Sequence, residues 1–204
     1  MKLNEALIEL RKQKERKFNQ TVDLIINLKD VDIKKANISL VVDIPHKIKD
    51  KKVCGFLTTK SELVKTITKP DFKKYTDKAL LRNLVNGYDF FIAHASLMPA
   101  VATAFGKVLG PAGKMPSPQL GIITQENPEV IKQLIDRISK SVKVRAKEAS
   151  IKIPVGKANM KDEELIENIK VIYDAVVNAL PTKKENVKKV LLKLTMTKPI
   201  GVEL

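Results

Sequence analysis

This chain is poor in the side chains that most catalysts use. Its 204 residues hold one cysteine and two histidines. A lone Cys54 excludes an internal disulfide and fits a reducing, cytosolic setting. It stands in the apolar run 53–57, where a buried and inert thiol is the expected state. One cysteine with His46 and His94 cannot supply a zinc site of the usual ligand spacing. Both histidines lie beside strand patterns, where structural roles are expected. No apolar run reaches the roughly 18 residues of a membrane span, so no membrane partner is expected. The opening MKLNEALIELRKQ is an amphipathic helix pattern rather than a signal peptide. Acidic residues are also scarce: 23 Asp and Glu face 38 Lys and Arg, a formal net charge of +15. Such a balance favours a polyanion as partner, nucleic acid before membrane, with a soluble lysine-rich surface as the plain alternative. Most of the excess lies in the middle block, 50–147. The carboxylates Asp162, Glu163, Glu164 and Glu167 gather at a helix start, where the positive end of the dipole favours them. Without a turn glycine or Asp-x-Asp loop they read as a solvated cap, not a metal site.

What is present is regular. A first helix begins near Asn4, with Leu3, Ala6, Leu7 and Leu10 at helical spacing, and a basic run follows (Arg11, Lys12, Lys14, Arg16, Lys17). Residues 20–28 and 38–44 alternate as strands with one buried face, joined through 29–37. A strand over 53–57, helices over 61–67 and 77–86, a strand over 89–93, and helices over 97–105 and 128–138 follow. Strands alternating with helices predict a parallel sheet covered by helices. Residues 141–147 read as an exposed or hinge strand. A strand over 151–155, a long helix over 162–180 and an alternating strand over 188–197 complete the chain.

The segment 106–118, GKVLGPAGKMPSP, carries three glycines and three prolines. It predicts a loop of fixed shape that ends the helix before it, with Lys107 and Lys114 held on it. A phosphate-cradling P-loop needs Gly, four residues, then Gly-Lys-Ser/Thr. Here Val108 stands where the first glycine should, and Met115 replaces the hydroxyl. A dinucleotide fingerprint fails too, because a helix rather than a strand precedes the glycines. A nucleic-acid contact loop and an inert structural turn remain open.

At these residues the chain resembles the ribosomal protein L-one family, the large-subunit proteins of the mobile stalk beside the tRNA exit site. The resemblance extends to Lys17-Phe18-x-Gln20-Thr21-Val22, to 88–98, to Pro154-Val155-Gly156-Lys157, to 160–169 and to Leu194-Thr195-Met196, in the expected order. It is closer to the archaeal and eukaryotic branch than to the bacterial one. Two departures stand out: Ala112 where the family has Arg, and Thr197 where it has Gly. The second predicts a locally altered RNA contact, because glycine permits close backbone approach.

The resemblance implies a fold and a function. The fold is a discontinuous α+β first domain with an antiparallel sheet (1–47 and 148–204), and an inserted α/β Rossmann-like domain (48–147). Hinges are expected near 47–49 and 147–149. The implied role is non-enzymatic: a cytoplasmic, ribosome-associated constituent of the large subunit that binds its rRNA at the stalk and assists release of deacylated tRNA. The protein would be a monomer off the ribosome, without cofactor or metal. Family members also repress translation by binding their own message, and that expectation carries over. The implied rRNA-binding residues are Lys17, Phe18, Thr21, Thr195, Met196, Thr197 and Lys198, with Lys107 and Lys114 as tRNA or rRNA contacts. Read from pattern alone, Phe18 and Met196 are core residues and Lys17 belongs to a solvated run. Two alternatives stand beside this: a nucleotide-binding cytosolic enzyme built on the middle block, and a free-standing regulator of mRNA or assembly.

Overall fold

A computed structural model describes residues 1–13, 16–31, 38–146 and 148–203. The expectations for Lys14, Lys147 and most of the 29–37 connection fall outside these. In chain order the elements are α1 (Leu3–Arg11), β1 (Thr21–Leu28), β2 (Ser39–Asp43), β3 (Val53–Phe56), β4 (Lys65–Ile67), α2 (Lys78–Gly87), β5 (Phe90–His94), α3 (Met98–Ala112), β6 (Ile122–Ile123), α4 (Pro128–Ser139), β7 (Ser141–Arg145), β8 (Ser150–Lys157), α5 (Asp162–Ala179), β9 (Val187–Leu194) and β10 (Ile200–Val202). Two compact units result: Met1–Lys49 with Lys140–Leu204, and Asp50–Ser139.

The first unit is built on an antiparallel sheet in the order β10-β9-β1-β8. Alternation puts Val22, Leu24, Ile26 and Leu28 of β1 on its buried face. They pack with Ile151, Ile153 and Val155 of β8 and with Val190, Leu192 and Leu194 of β9. Helices α1 and α5 close this face with Leu3, Ala6, Leu7 and Leu10, and with Leu165, Ile169, Ile172 and Val176. Gly156 lets α5 sit close, since a Cβ there would run into the Leu165 side chain.

The expected boundary at 147 is corrected. Strand β7 pairs antiparallel with β2 over its whole length, and Val142 and Val144 are buried in the first unit's core. The return from the second unit therefore falls at Ser139–Lys140, not near 147–149. Within β7, Val142 and Val144 alternate with Lys143 and Arg145 because the valines face the core and the basic residues face away from it. At the outgoing crossing the chain is pinned. Fully buried Asn168 accepts from the His46 N–H (3.1 Å) and donates to the carbonyls of His46 and Val155 (both 3.0 Å).

In the second unit a parallel sheet runs in the order β4-β3-β5-β6. Its core is aromatic: Phe56 stacks on Phe91 and meets Phe72 and Phe105. Two expectations fail here. The segment 61–67 is not a helix; Lys65–Ile67 pairs with β3 and buries Ile67, so sheet pairing overrides local preference. Nor does the helix stop before Gly106. It runs to Ala112, because Val101, Phe105 and Leu109 form a fully buried stripe at four-residue spacing. Each glycine weakens a helix by only about 1 kcal/mol, and Pro111 falls in the last turn.

Replacing Asn168 with alanine should lower unfolding stability by roughly 2–4 kcal/mol, since the His46 N–H and two carbonyls lose their buried partner. Urea denaturation measures this, and an unchanged midpoint would show that the anchor is dispensable.

Candidate nucleic-acid interface

The two ends of the chain meet at one edge of the first unit. Thr21 opens β1, and Thr195 begins the turn that joins β9 to β10. The Thr21 N–H donates to Thr195 Oγ1 at 3.0 Å across 174 positions of sequence. Lys157, at the end of β8, donates its ammonium to Thr21 Oγ1 at 2.9 Å. Gln20 fixes the turn, its side-chain carbonyl accepting from the Met196 N–H at 3.1 Å. Lys157, Thr21 and Thr195 thus present two hydroxyls and a cation side by side. Sequence reasoning missed Gln20 and Lys157 as parts of this site. Gln20 had a legible signal: it is polar at a position in phase with buried Val22, Leu24 and Ile26.

Around this row stand apolar groups with no place in the core. Phe18 is 52% exposed and Met196 is 59% exposed. Pattern alone makes both core residues, and that reading is corrected. Met196 lies beyond the last paired residue of β9, so strand parity does not govern it. Phe18 precedes β1 in a bend and stays outside the buried cluster. Both could lay an apolar face on a sugar or base. Lys17 and Lys198 are exposed beside them. Between α1 and the approach to β1 runs a groove of about 650 Å³, floored by Leu7, Leu10 and Val22 and rimmed by Arg16, Lys17 and Phe18.

Thr197 sits in its turn without backbone strain. Among the described residues only Asp30 and Lys183 are non-glycine residues with positive φ. The Thr197 hydroxyl accepts from the Leu194 N–H at 2.9 Å and closes the turn. Thr197 therefore adds a hydrogen bond inside the turn.

In the second unit Lys107 is exposed on α3, whereas Lys114 is engaged. The Lys114 ammonium donates to the carbonyls of Val85 (2.6 Å) and Tyr88 (2.7 Å), capping the C-terminal end of α2. A cation belongs there, where carbonyls lack helical partners. Gly113 (φ 70°) closes α3, with its own N–H and that of Lys114 returning to the carbonyls of Gly110 and Leu109. Here the Gly/Pro segment ties α3 to α2, so the structural reading of this loop describes Lys114.

The nucleotide-site alternative also meets an obstacle. In parallel sheets ligands bind outside the carboxyl ends of the strands. Beyond β3 the Glu126 carboxylate accepts from the N–H and hydroxyl of both Thr58 and Thr59, at 2.6–3.0 Å. Beyond β5, His94 bonds Ser96 Oγ (2.6 Å) and the Thr124 carbonyl (3.1 Å). The chain's own groups hold the donors an anionic ligand would need. Nor does Cys54 offer a nucleophile: burial pushes its thiol up to about 12. Among the described residues no cluster of His, Cys, Asp and Glu could hold a metal ion. In the carboxylate group at the start of α5, Asp162 pairs with Arg11.

The site is thus one end of an antiparallel sheet backed by helices, with hydroxyls, lysines and bare apolar side chains side by side. The Ribosomal protein L1p/L10e family profile matches residues 10–198, and the chain belongs to that family. It is similar to proteins named large ribosomal subunit protein uL1. That of Pyrobaculum islandicum is 36% identical, over 98% of this chain and 90% of the relative. The Archaeoglobus fulgidus protein is 34% identical, over 95% and 93%. That of Pyrococcus horikoshii is 31% identical, over 99% and 95%. Members of this family are structural proteins, and the chain is not an enzyme.

The Glu126 clamp makes stability pH-dependent. Burial raises its carboxyl, but the bonds from Thr58 and Thr59 outweigh that and hold it at about 2. A depressed carboxylate stabilises above its ordinary value of 4.5, and that contribution is lost as pH falls from there through about 2. Acid titration of thermal unfolding should show this loss in the native chain and much less of it in Glu126→Gln.

Proposed function

We propose that this protein is a constituent of the large ribosomal subunit, ribosome-associated in the cytoplasm, that holds large-subunit rRNA through the Lys17–Thr21 and Thr195–Lys198 edge. The observation that carries this reading is the hydrogen-bonded meeting of Thr21 and Thr195, with Phe18 and Met196 left exposed beside it. Hydroxyls can bond a phosphate oxygen or a ribose 2′-OH, and the 2′-OH contact tells RNA from DNA. Lys17, Lys157 and Lys198 supply salt-dependent attraction. The rRNA site is that of the mobile stalk near the exit site. The protein works there as a monomer without cofactor, and motion of the second unit on its two connections accompanies release of deacylated tRNA. Hinges of a few residues can absorb such motion. Lys107 is the stronger tRNA-contact candidate, since the Lys114 ammonium already caps α2. A message that folds like the rRNA site would occupy the same edge, which is how repression of its own translation would arise.

Replacing Phe18 or Met196 with alanine should weaken binding to a stalk rRNA fragment by about tenfold each, the order of one lost stacking contact. Folding stability should hold, because neither side chain is core. An unrelated structured RNA should show little change. Wild-type affinity in both variants would remove this edge as the RNA site.

A further inference from the structure

The sheet of the first unit has a second face, which the reading above uses only at its Thr21–Lys157 end. On it β1 carries Thr21, Asp23, Ile25 and Asn27, in alternation with the buried residues. Register places Lys157 beside Thr21, Pro154 and Lys193 beside Asp23, Lys152 and Leu191 beside Ile25, and Ser150 and Lys189 beside Asn27. Strand β10 adds Gly201 next to Leu191, and the stem of Lys189 passes 3.5 Å from where a Cβ on Gly201 would stand. Lys152, Pro154 and Lys189 are exposed and the remainder half-exposed. Ile25 and Leu191 stand outside the core cluster that α1 and α5 cover.

The charge on this face is one-sided. Among the described residues, lysines 152, 157, 189 and 193 outnumber the acids here, Asp23 at the centre and Glu203 at the β10 margin near Lys189, and the acids of α5 belong to the covering layer on the opposite side. Burial pushes the Asp23 carboxyl up while Lys193 and Lys157 pull it down, so two of the lysines face Asp23 directly. From Thr21 to Asn27 the strip runs about 20 Å, at about 3.4 Å per residue. It begins at the Thr21–Thr195 edge.

Its chemistry selects among polyanions. Single-stranded RNA on a sheet is held by stacked aromatics, and this face carries none. Its centre is aliphatic and low, formed by Ile25, Leu191 and Pro154, with ammonium groups around it. Lysines are mobile point charges that meet phosphates without a fixed fork. Such a surface suits the backbone of a double helix, which proteins recognise by shape, phosphate and 2′-OH.

We propose that the outer face of the β10-β9-β1-β8 sheet is a second, sequence-independent RNA surface, which takes the phosphate–ribose backbone of a duplex running on from the Thr21–Thr195 edge. The inference rests on the proposed function. It extends the footprint from one edge along a whole face, and it assigns Lys152, Lys189 and Lys193 to binding.

The test uses the full chain and two rRNA probes. One is a minimal stalk fragment, the other the same fragment with its duplex lengthened by about one helical turn. Kd is measured for both across a salt series. The Lys152→Glu/Lys189→Glu pair should weaken binding to the long probe by about tenfold at 0.1 M salt. It should also flatten the salt dependence by roughly 0.7–0.9 in log–log slope per lost contact. The short probe should be held as before. The milder Lys152→Gln/Lys189→Gln pair should show the same selectivity with a smaller loss. Equal affinities for both probes in wild type and variants would overturn the outer-face assignment, as would equal losses on both. Unchanged RNA binding with loss of co-sedimentation with large subunits would also overturn it, handing the face to an acidic protein. Phe18→Ala and Met196→Ala serve as the control. If they weaken both probes while the lysine pairs change neither, only the outer face is lost. If they change neither probe, the edge reading itself has failed.

Discussion

Strand β1 sits between two strands from the far half of the chain, and the first unit depends on that placement. Its register with β8 and β9 brings three rows of aliphatic side chains into one layer under α1 and α5. Burial of that layer is the dominant favourable term available to the unit. A one-residue slip would send Val22, Leu24 and Ile26 to solvent and lift Asp23 and Asn27 into the core. The register is therefore strongly specified, and with it the position of every residue at the strand ends. These contacts join distant parts of the sequence, so the chain must close long loops before the layer stabilises anything.

The candidate edge follows from this pairing with little added. Once β1 and β9 are in register, Thr21 and Thr195 must be neighbours. The turn after β9 then needs only two fixings: Gln20 holds Met196 from one side and Thr197 holds Leu194 from within. Met196 projects because the backbone leaves the sheet at Leu194, where alternation ends. An exposed methionine on a braced turn costs nothing in the core, and the position is free to serve a partner. Phe18 is placed in the same way, just before alternation begins.

Much of this was legible in the residues. The alternation of 20–28, 38–44 and 188–197 marks the strands, and the 3.6-residue stripe marks α5. The motif resemblance joins the two ends, which periodicity alone leaves unpaired. Three things were not legible, each for a physical reason. Short parallel strands such as Lys65–Ile67 lack room for a period and are decided by their neighbours. Alternating Val142 and Val144 look exposed until β2 is beside them. Gly106 and Gly110 look like helix breakers, but the penalty is small against the buried stripe of Val101, Phe105 and Leu109. Gln20 could have been read from parity, and Lys157 only from its cross-strand partner.

Net charge proves a blunt guide to where a polyanion would lie. With the boundary at Ser139–Lys140 the first unit carries more of the Lys and Arg excess than the second, yet charge counts for binding only where it is still offered to solvent. Lys114 is turned into two carbonyls at a helix end, and those carbonyls would have to be left bare if it moved to a phosphate. Lys193 is the same side chain with the opposite fate, standing on an outward sheet face beside Asp23. Similarly, Glu126 closes over Thr58 and Thr59 and removes four donors from the second unit's strand ends. The first unit has more cations, and its exposed lysines, hydroxyls and aliphatic groups lie on one edge and one face of a rigid sheet. Preorganised in this way, each contact binds without the cost of ordering its own backbone. That is why we assign the RNA interface to the first unit.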